Sequence, residues 1–325
     1  MSESLNNKIN CDFCNSTKSV VLVAQKDIIH KNPSSGDKEF QLRRCSDCGL
    51  IYLDRDKNDD LQRFYPKEYE FYSDHNIFLY RLRYFISQLI STRYLNLLFA
   101  TLPFSDKIFY KLLQPKKKDY IKTMHPCRFL DIGCGSGLNA HFFGHRSSLY
   151  WLKKKGFDVV GVEPSIEARK IAQEHGLKIV ESISELQGEN FDCIRMNWSL
   201  EHATSPTEYF KSFKKLLKTG GKLIIAVPNY DGILYRLFPN CIEVPLHTYY
   251  FTPKTLEEYF KKYNFKLIDR YSFSYPGMFI LASEVLKHKK SLQLSSFETI
   301  SFQSILNKYD PYMLGNDMVY IVENE

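Results

Sequence analysis

Two groups of residues in this chain have the types and spacing that chemistry requires. The first is Arg128-Phe-Leu-Asp-Ile-Gly-Cys-Gly-Ser-Gly137. A short apolar run, Phe129 to Ile132, ends in a glycine turn of the kind that lets backbone pass close beneath a ligand at a strand-to-helix corner. That is a nucleotide-type site, and two frames fit its glycines. Gly135-x-Gly137-x-x-Ala140 matches the dinucleotide fingerprint, with a pyrophosphate on the helix N-terminus. It extends the strand through Cys134 and buries an ionised Asp131, which is costly without a partner. The favoured frame ends the strand at Asp131, and Gly133-x-Gly135-x-Gly137 then underlies a ligand whose cationic ammonium meets the carboxylate. A glycine turn with no ligand is the plain alternative. The second group is Cys11-Asp-Phe-Cys14 with Cys45-Ser-Asp-Cys48-Gly49. Each knuckle offers two thiolates to one tetrahedral zinc, and four cysteines make such a site closed and structural. The thirty residues between the knuckles exceed the usual zinc-ribbon spacing, so a long hairpin turning at Pro33-Ser-Ser-Gly36 must close the loop. A redox pair or coincidence is the alternative.

The acid-x-Gly-x-Gly-x-Gly turn after a strand resembles that of the class I S-adenosylmethionine-dependent methyltransferases, and the resemblance runs from about Phe129 to the C-terminus. It implies that Asp131, Gly133, Gly135 and Gly137 line the methionine half of S-adenosylmethionine. It also implies that Glu163, closing Asp158-Val-Val-Gly-Val-Glu163, accepts hydrogen bonds from the ribose hydroxyls. Adenine contacts fall at Ser182 and Ile183 and a further cofactor contact at Asn197. The gap from Asp131 to Glu163 is long for this family, and the excess is placed in Phe142 to Tyr150, where it lengthens or interrupts the first helix. Asn197-Trp-Ser-Leu-Glu-His202 follows the fourth strand. His202 is the general-base candidate, because an imidazole titrates near neutrality and an acceptor must lose a proton; bracing its loop is the alternative. Leu246-His247-Thr-Tyr-Tyr-Phe-Thr-Pro253 resembles a family segment that overhangs the acceptor. His247 is the second catalytic candidate there, and Tyr249 and Tyr250, with Tyr72, are substrate-binding candidates.

The elements that must position these residues alternate. Strands are expected at 129–131, 159–163, 178–180, 193–197, 222–227 and 265–270, with helices at 138–155, 165–175, 207–218 and 253–263. This alternation reads as a parallel sheet covered on both faces. Thr252 and Pro253 mark a helix start, and Gly220-Gly221 a helix stop. The resemblance adds a last antiparallel strand at 318–322. The expected fold is therefore α/β, a Rossmann-like seven-stranded methyltransferase sheet in 123–325, preceded by a zinc-ribbon domain in 1–56 and a helical connector in 57–122.

The connector opens with the aromatic cluster Phe64 to Tyr72 and continues as two apolar-faced helices broken at Pro103. Gln88, Arg93 and Asn96 interrupt it short of the roughly 20 apolar residues a bilayer requires. From Phe78 to Lys122 it carries nine basic residues against two acidic, an excess equal to the net charge of +7 of all 325 residues. Such a segment suits the anionic inner face of a membrane or an acidic partner, or else packs on the catalytic domain with a solvated basic rim. The polar N-terminus shows no signal peptide, and cysteines in knuckles fit reduced thiols, so a cytoplasmic protein is expected. The combination of ribbon, aromatic connector and methyltransferase segment is similar to bacterial sugar, surface-glycan and secondary-metabolite methyltransferases. This favours O-methylation of a sugar on a nucleotide- or lipid-linked carrier. C-methylation of a deoxysugar, RNA methylation using the ribbon and basic connector, and cofactor binding without catalysis are the alternatives. Asn197-Trp-Ser-Leu in place of an Asp/Asn-Pro-Pro-aromatic segment counts against nucleic-acid bases.

Overall fold

The computed structural model describes residues 9–30, 32–55, 61–64, 120–138, 148–273 and 312–325. Nearly all of the connector, Tyr72 included, and the stretch 139–147 lie outside the described residues. In chain order the strands are β1 (Ser19–Gln25), β2 (Phe40–Cys45), β3 (Ile51–Leu53), β4 (Arg128–Ile132), β5 (Asp158–Val162), β6 (Lys178–Val180), β7 (Phe191–Asn197), β8 (Leu217–Pro228), β9 (Tyr249–Tyr250), β10 (Phe265–Phe273) and β11 (Asp317–Asn324). The α-helices are α1 (Leu149–Lys154), α2 (Ile166–Glu174), α3 (Pro206–Leu216), α4 (Ile233–Leu237) and α5 (Pro253–Lys262). The chain divides into two compact units, one of 1–67, 188–303 and 310–325, the other of 68–187 and 304–309.

The seven strands of the α/β sheet are mostly parallel. The smaller unit contributes them in the order β4-β5-β6, all parallel. The larger contributes β10-β11-β8-β7, in which β7 and β8 are parallel and β11 runs against both neighbours. Strands covered on both faces read as unbroken apolar runs, and Leu223-Ile-Ile-Ala-Val227 of β8 is buried throughout. Helix starts are set by hydroxyls that accept from the first free backbone N–H groups: Ser148 for α1, Ser165 for α2, Ser205 for α3 and Thr252 for α5. The cap at Ser148 starts α1 at Leu149, and most of the stretch in which the excess length was expected lies outside the described residues.

Gly220-Gly221 does not stop a helix. α3 passes directly into extended backbone at Leu217, and the two glycines lie inside β8. The register against β7 jumps from Phe191↔Leu217 to Cys193↔Lys222, so three extra residues bulge out of β8, and Gly220 supplies the φ of +77° that the bulge needs.

The larger unit also holds an antiparallel sheet in the order β1-β2-β3-β9. β1 and β2 are the hairpin expected between the cysteine knuckles, and β3 adds a strand after them; the fourth comes from the segment after His247, with Ile51 facing Tyr250 and Tyr52 facing Tyr249. Beneath it Phe40, Leu42, Ile51, Leu53, Phe64, Ile242, Val244 and Leu246 form one apolar cluster. Asp12, inside the first knuckle, ties this hairpin to α3 and α5. Its carboxylate accepts from Ser205 Oγ at 2.5 Å, Thr207 N at 2.8 Å and Tyr259 Oη at 3.0 Å. Among the described residues no helix is long and apolar enough to cross a membrane.

Gly161 of β5 is closely packed: an added Cβ would stand 2.6 Å from Cys134 Sγ and 2.9 Å from Leu149 Cδ1. Gly161→Ala is expected to destabilise the protein by about 1–3 kcal/mol through overpacking, read as a lower urea midpoint with an unchanged slope.

Candidate functional site

In the smaller unit, β4 delivers Asp131 and Ile132 to the glycine turn. Gly133, Gly135 and Gly137 all take positive φ, at +71°, +57° and +69°, a conformation that favours glycine. Gly133 N and Cys134 N both donate to Val162 O at the end of β5, at 2.9 and 3.3 Å. The strand therefore ends at Ile132, one residue beyond the expected Asp131 and short of the Cys134 that the dinucleotide frame requires. Asp131 is buried, 7% exposed. Glu163, one residue past β5, is 5% exposed and grips the turn directly: Oε2 accepts from Gly135 N at 3.0 Å and Oε1 from Ser165 N at 2.9 Å. Burial raises its carboxyl above the ordinary value, against the pull of the Ser165 and Gly135 amides. A carboxylate has about four acceptor positions, so two remain for a diol. Ser182 is engaged locally, its Oγ accepting from Ser184 N while Glu185 returns a bond to the Ser182 amide. Ile183 is half-buried beside it. Asn197 belongs to the larger unit, at the end of β7, and its Oδ1 is buried with no hydrogen-bond partner among the described residues.

In the larger unit the two histidine segments are laced together. Thr248 N donates to Glu201 O at 2.7 Å, and Thr248 Oγ1 lies 2.9 Å from Glu201 O and 2.7 Å from Ala203 O. His202 Nδ1 lies 2.9 Å from Leu246 O, so that nitrogen carries the proton and Nε2 keeps its lone pair. The His202 and His247 rings meet edge to face with centroids 4.8 Å apart. Burial, reinforced by His247, pulls the His202 pKa down to about 3, and burial lowers that of His247 as well. Burial thus works against a His202 that titrates near neutrality, and the Leu246 carbonyl holds its ring to the backbone. Tyr249 and Tyr250 form β9. Pairing of β9 with β3 draws both into packed surroundings at 7% and 2% exposure, with Tyr249 Oη directed at Thr204 O and Tyr250 in the apolar cluster.

Several residues of this site escape sequence reading. Glu243 lies between two histidines, 3.1 Å from His30 Nε2 and 3.8 Å from His247 Nε2. Burial opposes its ionisation, but His247 and the His30 hydrogen bond prevail and hold its carboxyl down at about 2. The bond to Glu243 raises His30 against the effect of burial. Residues 30 and 243 are separated by 213 positions, so no spacing signals the pair. Glu201, 1% exposed, was visible only as the neighbour of His202.

The four cysteines converge. Their sulfurs all lie within 4.8 Å of one another, with Cys11 Sγ to Cys48 Sγ at 3.4 Å and Cys14 Sγ to Cys45 Sγ at 3.5 Å. A tetrahedron of sulfurs around zinc has an edge of about 3.8 Å for Zn–S near 2.3 Å. The cluster is compatible with such an ion.

A sequence profile for the methyltransferase domain matches residues 82–270. The chain is 30% identical over 138 residues to the ubiquinone biosynthesis O-methyltransferase of Xanthomonas oryzae pv. oryzae, covering 38% of this chain and 54% of that protein. It is 32% identical over 114 residues to an uncharacterised protein of Methanocaldococcus jannaschii, covering 34% and 49%. The chain thus spans about half the length of the curated relatives it matches. Among solved structures, a SAM-dependent methyltransferase of Thermotoga maritima, described as a possible histamine N-methyltransferase, aligns with TM-score 0.42 and 20% identity over 63% of this chain and 85% of that one.

The His30–Glu243 pair has a direct readout. Followed by NMR, the His30 ring is expected to titrate above the ordinary histidine value in the wild type. In Glu243→Gln it should fall, because burial remains and is opposed only by the weaker pull of the Asp27 carboxylate.

Proposed function

The chain belongs to the methyltransferase-domain family, and from that premise we propose that it transfers the methyl group of S-adenosylmethionine to a hydroxyl oxygen. The observation that carries this reading is the glycine turn of the smaller unit: three positive-φ glycines, a buried Asp131 before them and a buried Glu163 hydrogen-bonded to Gly135. Asp131 receives the cationic ammonium of the cofactor, and the two remaining acceptor positions of Glu163 receive the ribose diol. Backbone at Gly133, Gly135 and Gly137 leaves room for the methionine half. Ser182 and Ile183 flank the adenine.

In the transfer a lone pair on the acceptor oxygen forms the new C–O bond. The C–S pair returns to sulfur, which passes from sulfonium to neutral thioether, and the hydroxyl proton is lost. Alignment of oxygen, methyl and sulfur supplies most of the rate gain in such a step. An oxygen acceptor is supported by the O-methyltransferase name of the bacterial relatives. A sugar on a nucleotide- or lipid-linked carrier, in surface-glycan or secondary-metabolite synthesis, is the acceptor we assign, on the likeness drawn from the cysteine knuckles and aromatic connector. In the same proposal Cys11, Cys14, Cys45 and Cys48 hold one structural Zn2+, whose binding free energy contributes to folding.

Calorimetric titration of the purified, zinc-quantified chain with S-adenosylmethionine tests the reading. Saturable binding, weakened at least about tenfold in Asp131→Ala by loss of a charge-assisted contact, is expected. A folded, zinc-loaded protein that binds neither the cofactor nor its demethylated product would refute it. One zinc per chain is expected on the same sample, and its removal by a strong chelator should lower the thermal midpoint. An unchanged midpoint would deny the ion a structural role.

A further inference from the structure

We propose that Glu201, His202 and His247 form a second metal site, distinct from the cysteine cluster, for a divalent first-row transition ion such as Zn2+ or Mn2+. One ligand atom from each residue lies within 4.8 Å of the other two. Ligands about 2.1 Å from a tetrahedral ion stand roughly 3.4 Å apart, so closure requires side-chain movement on the order of 1 Å. Two imidazoles and one carboxylate are a hard-to-borderline donor set suited to such ions, and they leave coordination positions open.

The surroundings of the two rings are those of ligating histidines. A metal-bound imidazole characteristically directs its other nitrogen at a carbonyl or carboxylate, which fixes the ring and raises its donor strength. His202 directs Nδ1 at Leu246 O, 2.9 Å away, which leaves Nε2 as donor. His247 turns Nε2 toward the Glu243 carboxylate at 3.8 Å, which leaves Nδ1. That Nδ1 is buried and has no hydrogen-bond partner among the described residues, on a residue only 5% exposed. The carboxylate of Glu201, on a residue 1% exposed, supplies the negative charge that a buried cation requires. The backbone is arranged beforehand: Thr248 fastens Glu201 and Ala203 to the strand segment that follows His247, so the three donors do not have to be collected from mobile loops.

The ion's role rests on the methyl-transfer reading above. Bound at an open position, an acceptor hydroxyl becomes more acidic. Its proton passes to solvent water and the oxygen keeps the electron pair.

The test uses the full chain with its cysteine cluster loaded with zinc, titrated with Co2+ and followed by visible absorption. Nitrogen and oxygen ligands give cobalt d–d bands, whereas cobalt entering the cysteine cluster adds intense thiolate charge transfer. One equivalent of Co2+ taken up without the thiolate band, and held at least about tenfold more weakly in both Glu201→Gln and His247→Gln, is expected. Glu201→Gln is nearly isosteric and guards against misfolding of the histidine variant. No saturable uptake, uptake only with the thiolate band, or unchanged affinity in both variants overturns the site. Calorimetry with S-adenosylmethionine on the same samples reads the methyltransferase proposal independently, so failure of one is distinguishable from failure of the other.

Discussion

A carboxylate taken out of water must find donors, and in this protein that constraint fastens the loops. Glu163 finds the amides of Gly135 and Ser165 and so holds the glycine turn against the end of β5. Asp12 finds a serine hydroxyl, a helix-start amide and a tyrosine hydroxyl. Glu243 finds His30 and faces His247. In each case the donors come from segments with no ladder of their own, and the desolvation cost of the acid makes their arrangement definite. Removing such a partner leaves a buried charge, and the loss exceeds the net worth of one hydrogen bond.

The strands were legible because their chemistry is local. Val159-Val160-Gly161-Val162 and Leu223 to Val227 are apolar at every position, as only strands covered on both faces are, and both appear where expected. The glycine turn was legible because positive φ selects glycine, and all three marked residues adopt it. The cysteine cluster was legible from spacing in spite of its long intervening hairpin. Gly220-Gly221 misled because the same conformational freedom serves a helix stop or a strand bulge, and only the register against β7 separates them. The packing of Tyr249 and Tyr250 was not legible, because the strand that pairs with them, β3, lies about two hundred residues earlier in the chain.

The histidines show the limit of reasoning from side-chain type. A reference pKa near neutrality makes His202 a proton acceptor on paper. Desolvation moves it far from that range, and the Leu246 carbonyl fixes its tautomer. What is left is a neutral ring with one oriented lone pair, chemically closer to a ligand than to a base. His247 is in the same condition, with its free nitrogen buried. Neither change is visible in Leu-Glu-His or in the residues around His247, since both arise from the contact between those two segments.

The cysteine hairpin is an integral part of the larger unit. β3 extends into β9, the segment just after His247, and Leu53 N donates to Thr248 O at 2.8 Å. Asp12, between two of the cysteines, accepts from Ser205 and Thr207, which open α3 directly after the Glu201–His202 turn. Phe13 packs edge-on against Tyr259 at 4.6 Å, and its carbonyl accepts from Lys262. An ion that orders the knuckle therefore orders both flanks of the histidine pair, because the same backbone carries the ligands and the struts. By linkage, whatever binds only the folded knuckle stabilises everything that folds with it. The four cysteines are thus tied through shared backbone to residues nearly two hundred positions away.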